Sequence, residues 1–232
     1  MTDPATAPLP VTGAKGTVRI EEPTRSERTI ALRVAEARAT VPHLELSTDV
    51  DVGASVALAR EQSCSMTAIL VRSCALALRD APRANGAYRD GRFQLYSRVN
   101  VGVAIASEDA PAIPTVFDAD RKALRPLSDE IDRLAGRARS GRLTPPELAG
   151  ATFTLSDLGA SGVARASPVI SPPQAAALAA GAIREVPVVH DGAIVCGLVM
   201  TLTLACDHRI LHGWSAARFL SQIEALLVEG RL

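Results

Sequence analysis

The chain has 232 residues, of which 47% are hydrophobic and only 3% are aromatic. This length suits one large domain, whose core must be filled mainly by Ala, Val and Leu. The 25 basic residues balance the 25 acidic ones, so no overall charge attracts a polyanion such as nucleic acid. No apolar run reaches the roughly 18 residues of a membrane span, and the N-terminus lacks a signal-peptide pattern. We therefore expect a cytoplasmic protein.

The cysteines predict neither a disulfide framework nor a metal site. They form no C-x-x-C pair, and no histidine stands beside them at metal-ligand spacing. We therefore expect no metal, and we interpret the four cysteines as small buried apolar residues: Cys64, Cys74, Cys196 and Cys206.

The first predicted element is a mobile N-terminal arm at residues 1–21, where Pro, Thr, Ala and Gly show no hydrophobic period. One domain is expected over residues 22–232. Helical apolar patterns in this domain predict five helices. They lie at residues 23–40, 53–61, 66–79, 122–140 and 215–228, and the third is apolar enough to predict deep burial.

Alternating or continuous apolar runs predict strands between these helices. Inside residues 87–96, Asp90 and Gly91 separate two short β-favouring runs, which is a strong hairpin signal. A mixture of helices with several adjacent strands favours an α+β fold over an alternating parallel one. The remaining strands are predicted at residues 43–52, 99–106, 152–156, 179–189 and 193–206.

The segment 202–220 carries the strongest chemical signal in the chain. A predicted buried strand runs into Asp207, His208 and Arg209, a turn follows at Gly213, and a helix then begins. An imidazole has an ordinary pKa of about 6.5, so a histidine held by a tight turn can act as a general base at neutral pH. On this local pattern alone, a hydrogen-bonded structural role for His208 is the stronger interpretation.

Three motifs, taken together, are more specific than any one of them. They are TFTLSDLG at 152–159, SPPQAAALAAGAIR at 171–184 and DHRILHG at 207–213. In this order they resemble the T-F-T-[IV]-S-N-L-G, N-P-P-Q-x-A-I-L and H-R-x-x-D-G motifs of the dihydrolipoyl acyltransferases of 2-oxoacid dehydrogenase complexes. With further ordered matches, the resemblance to this catalytic domain covers about residues 22–230.

The resemblance implies an α+β fold like that of chloramphenicol acetyltransferase, in which a mixed sheet is flanked by helices and the chain forms a trimer. It implies an acyltransferase in which His208 removes a proton from the attacking thiol or hydroxyl. Ser156 then donates a hydrogen bond to the oxyanion, and in the family the two residues come from neighbouring subunits. No cofactor is expected to stay bound, since acyl-CoA or an acyl-carrier thioester serves as co-substrate.

Other interpretations stay open at several positions. On chemistry alone, Ser156 is a turn residue that caps the bend after it. Cys206 is interpreted as a core thiol, because apolar burial makes a thiol inert. His43 and His190 are expected in structural or solvent-facing roles, and Trp214 either covers the core or lines a substrate channel.

The sequence departs from the family at two positions that change charge. His212 stands where the family has aspartate, and we expect it to support the active-site turn; recruitment to the acceptor substrate is the alternative. Glu27 of the first helix is a hypothetical compensating acid. Asp157 replaces the asparagine that follows the family's serine.

The length of the chain adds an expectation about function. Multienzyme acyltransferases carry a lipoyl domain where this chain has a short arm, and its end falls short of the tail that joins family trimers into larger cores. We therefore expect a free homotrimer that moves an acyl group, expected to be acetyl, from CoA or a carrier-protein thioester to a small-molecule hydroxyl in tetronate-type natural-product biosynthesis. The alternatives are the dihydrolipoamide acyltransferase core of a 2-oxoacid dehydrogenase complex and, in another class, an inactive scaffold.

Overall fold

The computed structural model describes residues 12–14, 16–106 and 111–232. The predicted arm at 1–21 thus falls largely outside the described residues, and its boundary with the domain at 22–232 stays a prediction. Inside the arm, two short strands pair with each other, and the expected mobility of the arm stays a prediction. Among the described residues, no helix is long and apolar enough to cross a membrane.

The helices form where the apolar periodicity predicts them, with bounds that agree within two residues. α1 begins with a capping box, in which the Thr24 hydroxyl accepts a hydrogen bond from the Glu27 amide and the Glu27 carboxylate accepts one from the Thr24 amide. The third helix is buried along most of its length, as its composition predicts. The helices are α1 (Arg25–Thr40), α2 (Gly53–Glu61), α3 (Met66–Asp80), α4 (Leu124–Arg139) and α5 (Gly213–Glu229).

The predicted hairpin is confirmed at Asp90 and Gly91, whose φ angles of 50° and 74° give the left-handed turn that an Asp-Gly pair favours. The short strand β7 is an element that the sequence analysis misses. The strands are β1 (Thr12–Gly13), β2 (Gly16–Thr17), β3 (His43–Asp51), β4 (Gly86–Arg89), β5 (Arg92–Leu95), β6 (Val101–Ala104), β7 (Thr115–Val116), β8 (Phe153–Asp157), β9 (Ala176–Ala180), β10 (Arg184–His190) and β11 (Ala193–Asp207).

A seven-stranded mixed sheet organises the domain, with the order β10-β11-β9-β8-β6-β7 and with β3 also paired to β11. Strands β6, β8 and β9 are parallel, and the other pairs in this sheet are antiparallel. Val199 of β11 pairs with Arg184 on one edge and Asp51 on the other. Strands β9 and β10 therefore follow each other along one edge of β11, and β3 covers the opposite edge. The predicted α+β class is confirmed.

The single strand predicted at 179–189 is wrong, because the structure divides it into β9 and β10. At the break, the Gly181 amide donates to the Thr201 carbonyl and the Ala182 amide donates to the Val163 carbonyl. A Cβ on Gly181 would lie only 1.9 Å from the Ala164 carbonyl oxygen. The strand is therefore interrupted because the backbone of the loop at 163–164 packs against Gly181, although the apolar pattern of the sequence continues through this point.

The main core lies between the sheet and the helices α3, α4 and α5, where small side chains are interspersed with residues such as Phe153 and Phe219. In a single chain, two elements have apolar side chains that are exposed to solvent. Helix α1 buries only Ala37 and leaves Leu32 72% exposed. The tip of the β10–β11 hairpin leaves Ile194 78% exposed.

The expectation that every cysteine is buried is wrong for Cys196. Cys74 and Cys206 are buried, and burial raises the pKa of each thiol to about 12. Cys64 is half-buried, whereas Cys196 is exposed. It lies on the part of β11 that extends beyond β3, where the strand is paired only with β10.

We expect Gly181→Ala to lower the free energy of unfolding by about 3 kcal/mol, because the added methyl group clashes with a backbone that is itself hydrogen-bonded. The matched control is Gly136→Ala inside α4, where an added Cβ meets nothing within 4 Å. That control should be neutral or stabilising by up to about 1 kcal/mol, since alanine favours helix. Urea unfolding of both variants measures the difference, and equal stabilities would contradict the close-approach argument.

Candidate active site

The backbone of His208 is fixed by hydrogen bonds to two neighbouring segments. Strand β11 ends at Asp207, whose amide donates to the Ala175 carbonyl at 2.7 Å. The next amide, that of His208, donates to the Pro42 carbonyl at 3.0 Å. The amides of the two residues after Arg209 then close the turn by donating to the Asp207 carbonyl. The His208 side chain is exposed, so a rigid turn presents an accessible imidazole.

An ion pair between the buried Asp207 and the half-buried Arg209 also closes this turn. Asp207 is 3% exposed, and its carboxylate accepts from the Arg209 amide at 3.0 Å and from the guanidinium Nε and Nη2 at 2.9 and 2.7 Å. These hydrogen bonds to Asp207 raise the pKa of Arg209. The guanidinium also stacks 4.7 Å from the ring centroid of Tyr88. The two-point pairing offsets the cost of burying the Asp207 charge, and sequence reasoning missed this brace.

His212 contacts the candidate base directly. Its Nδ1 lies 2.9 Å from the His208 carbonyl oxygen, and the two rings meet edge to face at 5.7 Å between centroids. Since a carbonyl oxygen can only accept, the geometry requires a protonated Nδ1 that donates. This is the contact that a residue supporting the turn would make, although the role itself stays a prediction. Within one chain, no hydrogen bond or ion pair joins Glu27 to His212 among the described residues, since the Glu27 carboxylate bonds Thr24 in the capping box of α1. The hypothesis that Glu27 compensates for His212 is therefore not supported.

Ser156 lies half-buried near the end of β8, and no hydrogen bond joins its hydroxyl to another described residue. The cap of the following bend is instead Asp157, which accepts from the Gly159 amide at 2.9 Å and from the Thr67 hydroxyl at 2.7 Å. The interpretation of Ser156 as the bend's cap is therefore wrong. Both carboxylate oxygens of Asp157 have donors, and the Ser156 hydroxyl is left available.

The strand register separates Ser156 from His208 within one chain. Ser156 is level with Ala179 of β9, and Ala179 is level with Thr203 of β11. From Thr203 to His208 the chain advances about 17 Å at roughly 3.3 Å per residue, and two strand spacings of about 4.8 Å separate β8 from β11. The two residues therefore lie about 19 Å apart and cannot act on the same carbonyl carbon within one subunit.

A cavity of about 480 Å³ lies beside the Asp207–Arg209 pair, under the C-terminal half of α1. Arg33, Arg89 and Gln174 also line it, whereas His208 and Ser156 do not. In one chain this cavity therefore does not contain the candidate base. Among the described residues, no cluster of three or more His, Cys, Asp or Glu side chains is arranged to hold a metal ion.

The remaining aromatic and sulfur-containing candidates fall into clear environments. Trp214 is 79% exposed on the first turn of α5, so the interpretation that it covers the core is wrong. Its role in a substrate channel stays a prediction. Cys206 is fully buried, as the core interpretation requires. His190 is exposed beside Asp191, and His43 is half-buried between two backbone groups.

The family described as 2-oxoacid dehydrogenases acyltransferase (catalytic domain) matches residues 15–231 of the chain. The dihydrolipoyllysine-residue acetyltransferase component of the pyruvate dehydrogenase complex from Zymomonas mobilis is 35% identical over 86% of this chain and 48% of its own length. The same component from Bacillus subtilis is 34% identical over 99% of this chain and 54% of its own length. The chain spans about half the length of the curated relatives it matches.

Solved structures agree with these matches. An Azotobacter vinelandii dihydrolipoamide acetyltransferase superposes with a TM-score of 0.90 at 27% identity, covering 97% of this chain and 98% of that one. That structure is described as an investigation of a serine, a histidine and an asparagine in the catalytic mechanism, and the three have the same spacing as Ser156, His208 and His212. Chloramphenicol acetyltransferase, with a TM-score of 0.57 at 16% identity, shares the fold and covers 84% of this chain and 94% of its own.

These matches overturn one expectation about function. The prediction of a stand-alone enzyme for natural-product biosynthesis, with a small-molecule hydroxyl as acceptor, is wrong, because the relatives are named as components of the pyruvate dehydrogenase complex. Their names agree with the alternative, a dihydrolipoamide acyltransferase core. The mistaken inference rested on the length of the chain and on His212, and neither feature identifies the acceptor.

We expect His212→Asn to keep acyl transfer within about threefold of wild type, because an amide NH₂ can replace the Nδ1 donor to the His208 carbonyl. His212→Ala removes the donor and should lower kcat about tenfold, which corresponds to the loss of one hydrogen bond. Steady-state kinetics at matched folding by circular dichroism compares the variants. Equal losses in the Asn and Ala variants would show that His212 acts through something other than this hydrogen bond.

Proposed function

Since the chain belongs to the 2-oxoacid dehydrogenase acyltransferase family, we propose that it transfers an acetyl group between a dihydrolipoyl thiol and the thiol of coenzyme A. The family fixes the enzyme class as acyltransferase. The acyl group and the two thiols are the proposal, and they are supported by the names of relatives that cover most of the chain.

One observation carries the proposal: an exposed imidazole stands on a turn whose backbone is held from both sides. The His208 amide is bonded to Pro42, and the Asp207 carboxylate before it is locked by Arg209. A general base must stay within hydrogen-bond reach of the proton that it removes, so this rigidity is what proton transfer requires. Cys206, the nearest thiol in the sequence, is buried with a pKa raised to about 12 by burial, which argues against an acyl-cysteine intermediate.

The proposed reaction is a direct transfer between two bound thiols. His208 accepts the proton of the coenzyme A thiol as its sulfur attacks the thioester carbonyl of the acetyl-dihydrolipoyl group. The carbonyl oxygen gains the negative charge in a tetrahedral intermediate. When the intermediate collapses, the bond to the dihydrolipoyl sulfur breaks and His208 returns the proton to that sulfur. The C–S bond that forms replaces the one that breaks, and no redox step is needed.

The oxyanion needs a donor that the same chain cannot bring to His208. No hydrogen bond joins the Ser156 hydroxyl to another described residue, so it is available as a donor. However, the strand register places Ser156 about 19 Å from His208 of the same chain. We therefore assign the oxyanion donor to Ser156 of the partner subunit, in a homotrimer whose sites lie between chains. The exposed apolar side chains of α1 and of the β10–β11 tip are surfaces that such an assembly can cover. Trp214, on the helix that follows the turn, is proposed to line the substrate channel.

We expect His208→Ala to lower kcat for acetyl transfer from acetyl-CoA to dihydrolipoamide by about 10² to 10⁴-fold, because the base is lost. The control is Asp132→Ala, which removes an exposed side chain on α4, outside the candidate site and the proposed contact surfaces, and should leave kcat unchanged. A spectrophotometric thioester assay gives the rates, and circular dichroism verifies the fold. Transfer by His208→Ala at the wild-type rate would overturn the catalytic assignment.

A complementation experiment tests the shared site. Ser156→Ala and His208→Ala should each be impaired alone, by about 10²-fold or more. Oligomers refolded from an equal mixture should regain about a quarter of wild-type activity, since random neighbours bring an intact serine to an intact histidine at that frequency. Light scattering should show three chains per particle. No recovery in mixed oligomers would contradict a site that is shared between subunits.

A further inference from the structure

His43 joins two backbone segments through both nitrogens of its ring. Nδ1 lies 2.8 Å from the Val41 carbonyl oxygen, and Nε2 accepts a hydrogen bond from the Ile170 amide at 3.3 Å. Because an amide can only donate, Nε2 must be unprotonated, so Nδ1 carries the proton that it donates to Val41. Among the described residues, no carboxylate forms an ion pair with this ring. His43 is therefore held as a neutral connector with a single tautomer.

The segment that His43 fixes is the one that holds the catalytic turn. The Val41 amide donates to the Ala37 carbonyl at the end of α1, and the Pro42 carbonyl accepts from the His208 amide. Proline has no amide proton, and its ring restricts its own φ angle, so the direction of this carbonyl depends on how its two neighbours are held. His43 is itself the neighbour after Pro42, and its backbone is paired in β3. Its Nδ1 hydrogen bond holds the neighbour before Pro42, which is Val41.

Packing beneath these bonds gives an independent observation. Val41, Ile170 and Ala205 form a small buried apolar cluster separate from the main core. Ala205 lies on β11 just before the catalytic turn, while Val41 and Ile170 are the two residues whose backbones His43 bonds. The cluster and the ring thus clamp three segments together: the end of α1, the loop before β9, and the end of β11.

We propose that His43 is a positioning residue for acyl transfer, which sets the place of His208 through the Pro42 carbonyl. The proposal rests on the function proposed above for His208, but not on which acyl group is transferred. His43 does not touch the reacting atoms. Loss of its hydrogen bonds allows the 41–43 segment to move, and the backbone of the base moves with it.

The test compares His43→Ala, His43→Asn and His43→Gln with wild type. Alanine loses both ring contacts, the asparagine amide can donate to Val41 as Nδ1 does, and the glutamine carbonyl can accept from Ile170 as Nε2 does. We expect His43→Ala to lower kcat about 10- to 100-fold with KM for coenzyme A changed less than twofold, because misplacement of the base affects the chemical step. Asn and Gln should each restore part of the loss.

A second readout is independent of catalysis. Hydrogen exchange of the His208 amide, followed by NMR, should speed up about tenfold or more in His43→Ala, while amides in the middle of α3 keep their wild-type rates. In wild type, nitrogen chemical shifts should show the neutral Nδ1–H tautomer for His43. Unchanged exchange at His208, or a kcat within twofold of wild type in His43→Ala, would overturn the proposal.

The two proposals fail differently. If His208→Ala loses activity while every His43 variant retains it, the function stands and the positioning role falls. If His208→Ala retains activity, the proposed function is wrong. Faster hydrogen exchange of the His208 amide in His43→Ala would then show that His43 holds the turn without contributing to catalysis, which overturns the positioning role as well. A uniform drop in Tm with faster exchange throughout α3 would show that His43 serves only global stability, which also overturns the positioning role.

Discussion

The pairing of β11 along both of its edges is the constraint from which the candidate site follows. One edge carries β3 and the other carries β9 and then β10, so the strand has little freedom to shift in register. Its last residues deliver Asp207 and His208 at a fixed level of the sheet. The Pro42 and Ala175 carbonyls, which accept from the turn, come from the segments that begin these two neighbouring strands. A shift of one residue would break these bonds and invert the faces of the strand.

The same register explains why one chain is an incomplete catalyst in the proposed mechanism. A parallel run of β6, β8 and β9 brings Ser156 to the end of the sheet opposite the end at which β11 delivers His208. Neither end can bend towards the other without breaking the ladder. A second copy is therefore the simplest source of the missing donor. The solvent-exposed apolar residues of α1 and of the β10–β11 tip are surfaces through which two copies can contact each other.

Much of this arrangement is predictable from the sequence, because it depends on local patterns. Periodicity predicts the helices, Asp90-Gly91 predicts the hairpin, and the order of the motifs predicts the fold. The break at Gly181 is not predictable, since it depends on contact with the backbone of Ala164, which lies in a loop outside the apolar run that predicts the strand. The exposure of Cys196 is missed for a related reason, because it depends on where β3 ends. At the site, the resemblance to the family singles out His208, Ser156 and His212. The turn that carries His208 is held by the Pro42 carbonyl and by the Asp207–Arg209 ion pair, and no spacing rule reveals these contacts.

The separation of Ser156 from His208 also has a genetic consequence. In the proposed trimer each chain contributes Ser156 to one site and His208 to another. A chain that lacks both residues therefore impairs sites that also contain residues of its intact neighbours. A single chain that lacked both residues would inactivate two of the three sites in its trimer, and two such chains would inactivate all three. An allele that encodes such a chain would be dominant over a healthy copy in the same cell, whereas alleles damaged at only one of the two residues could compensate for each other.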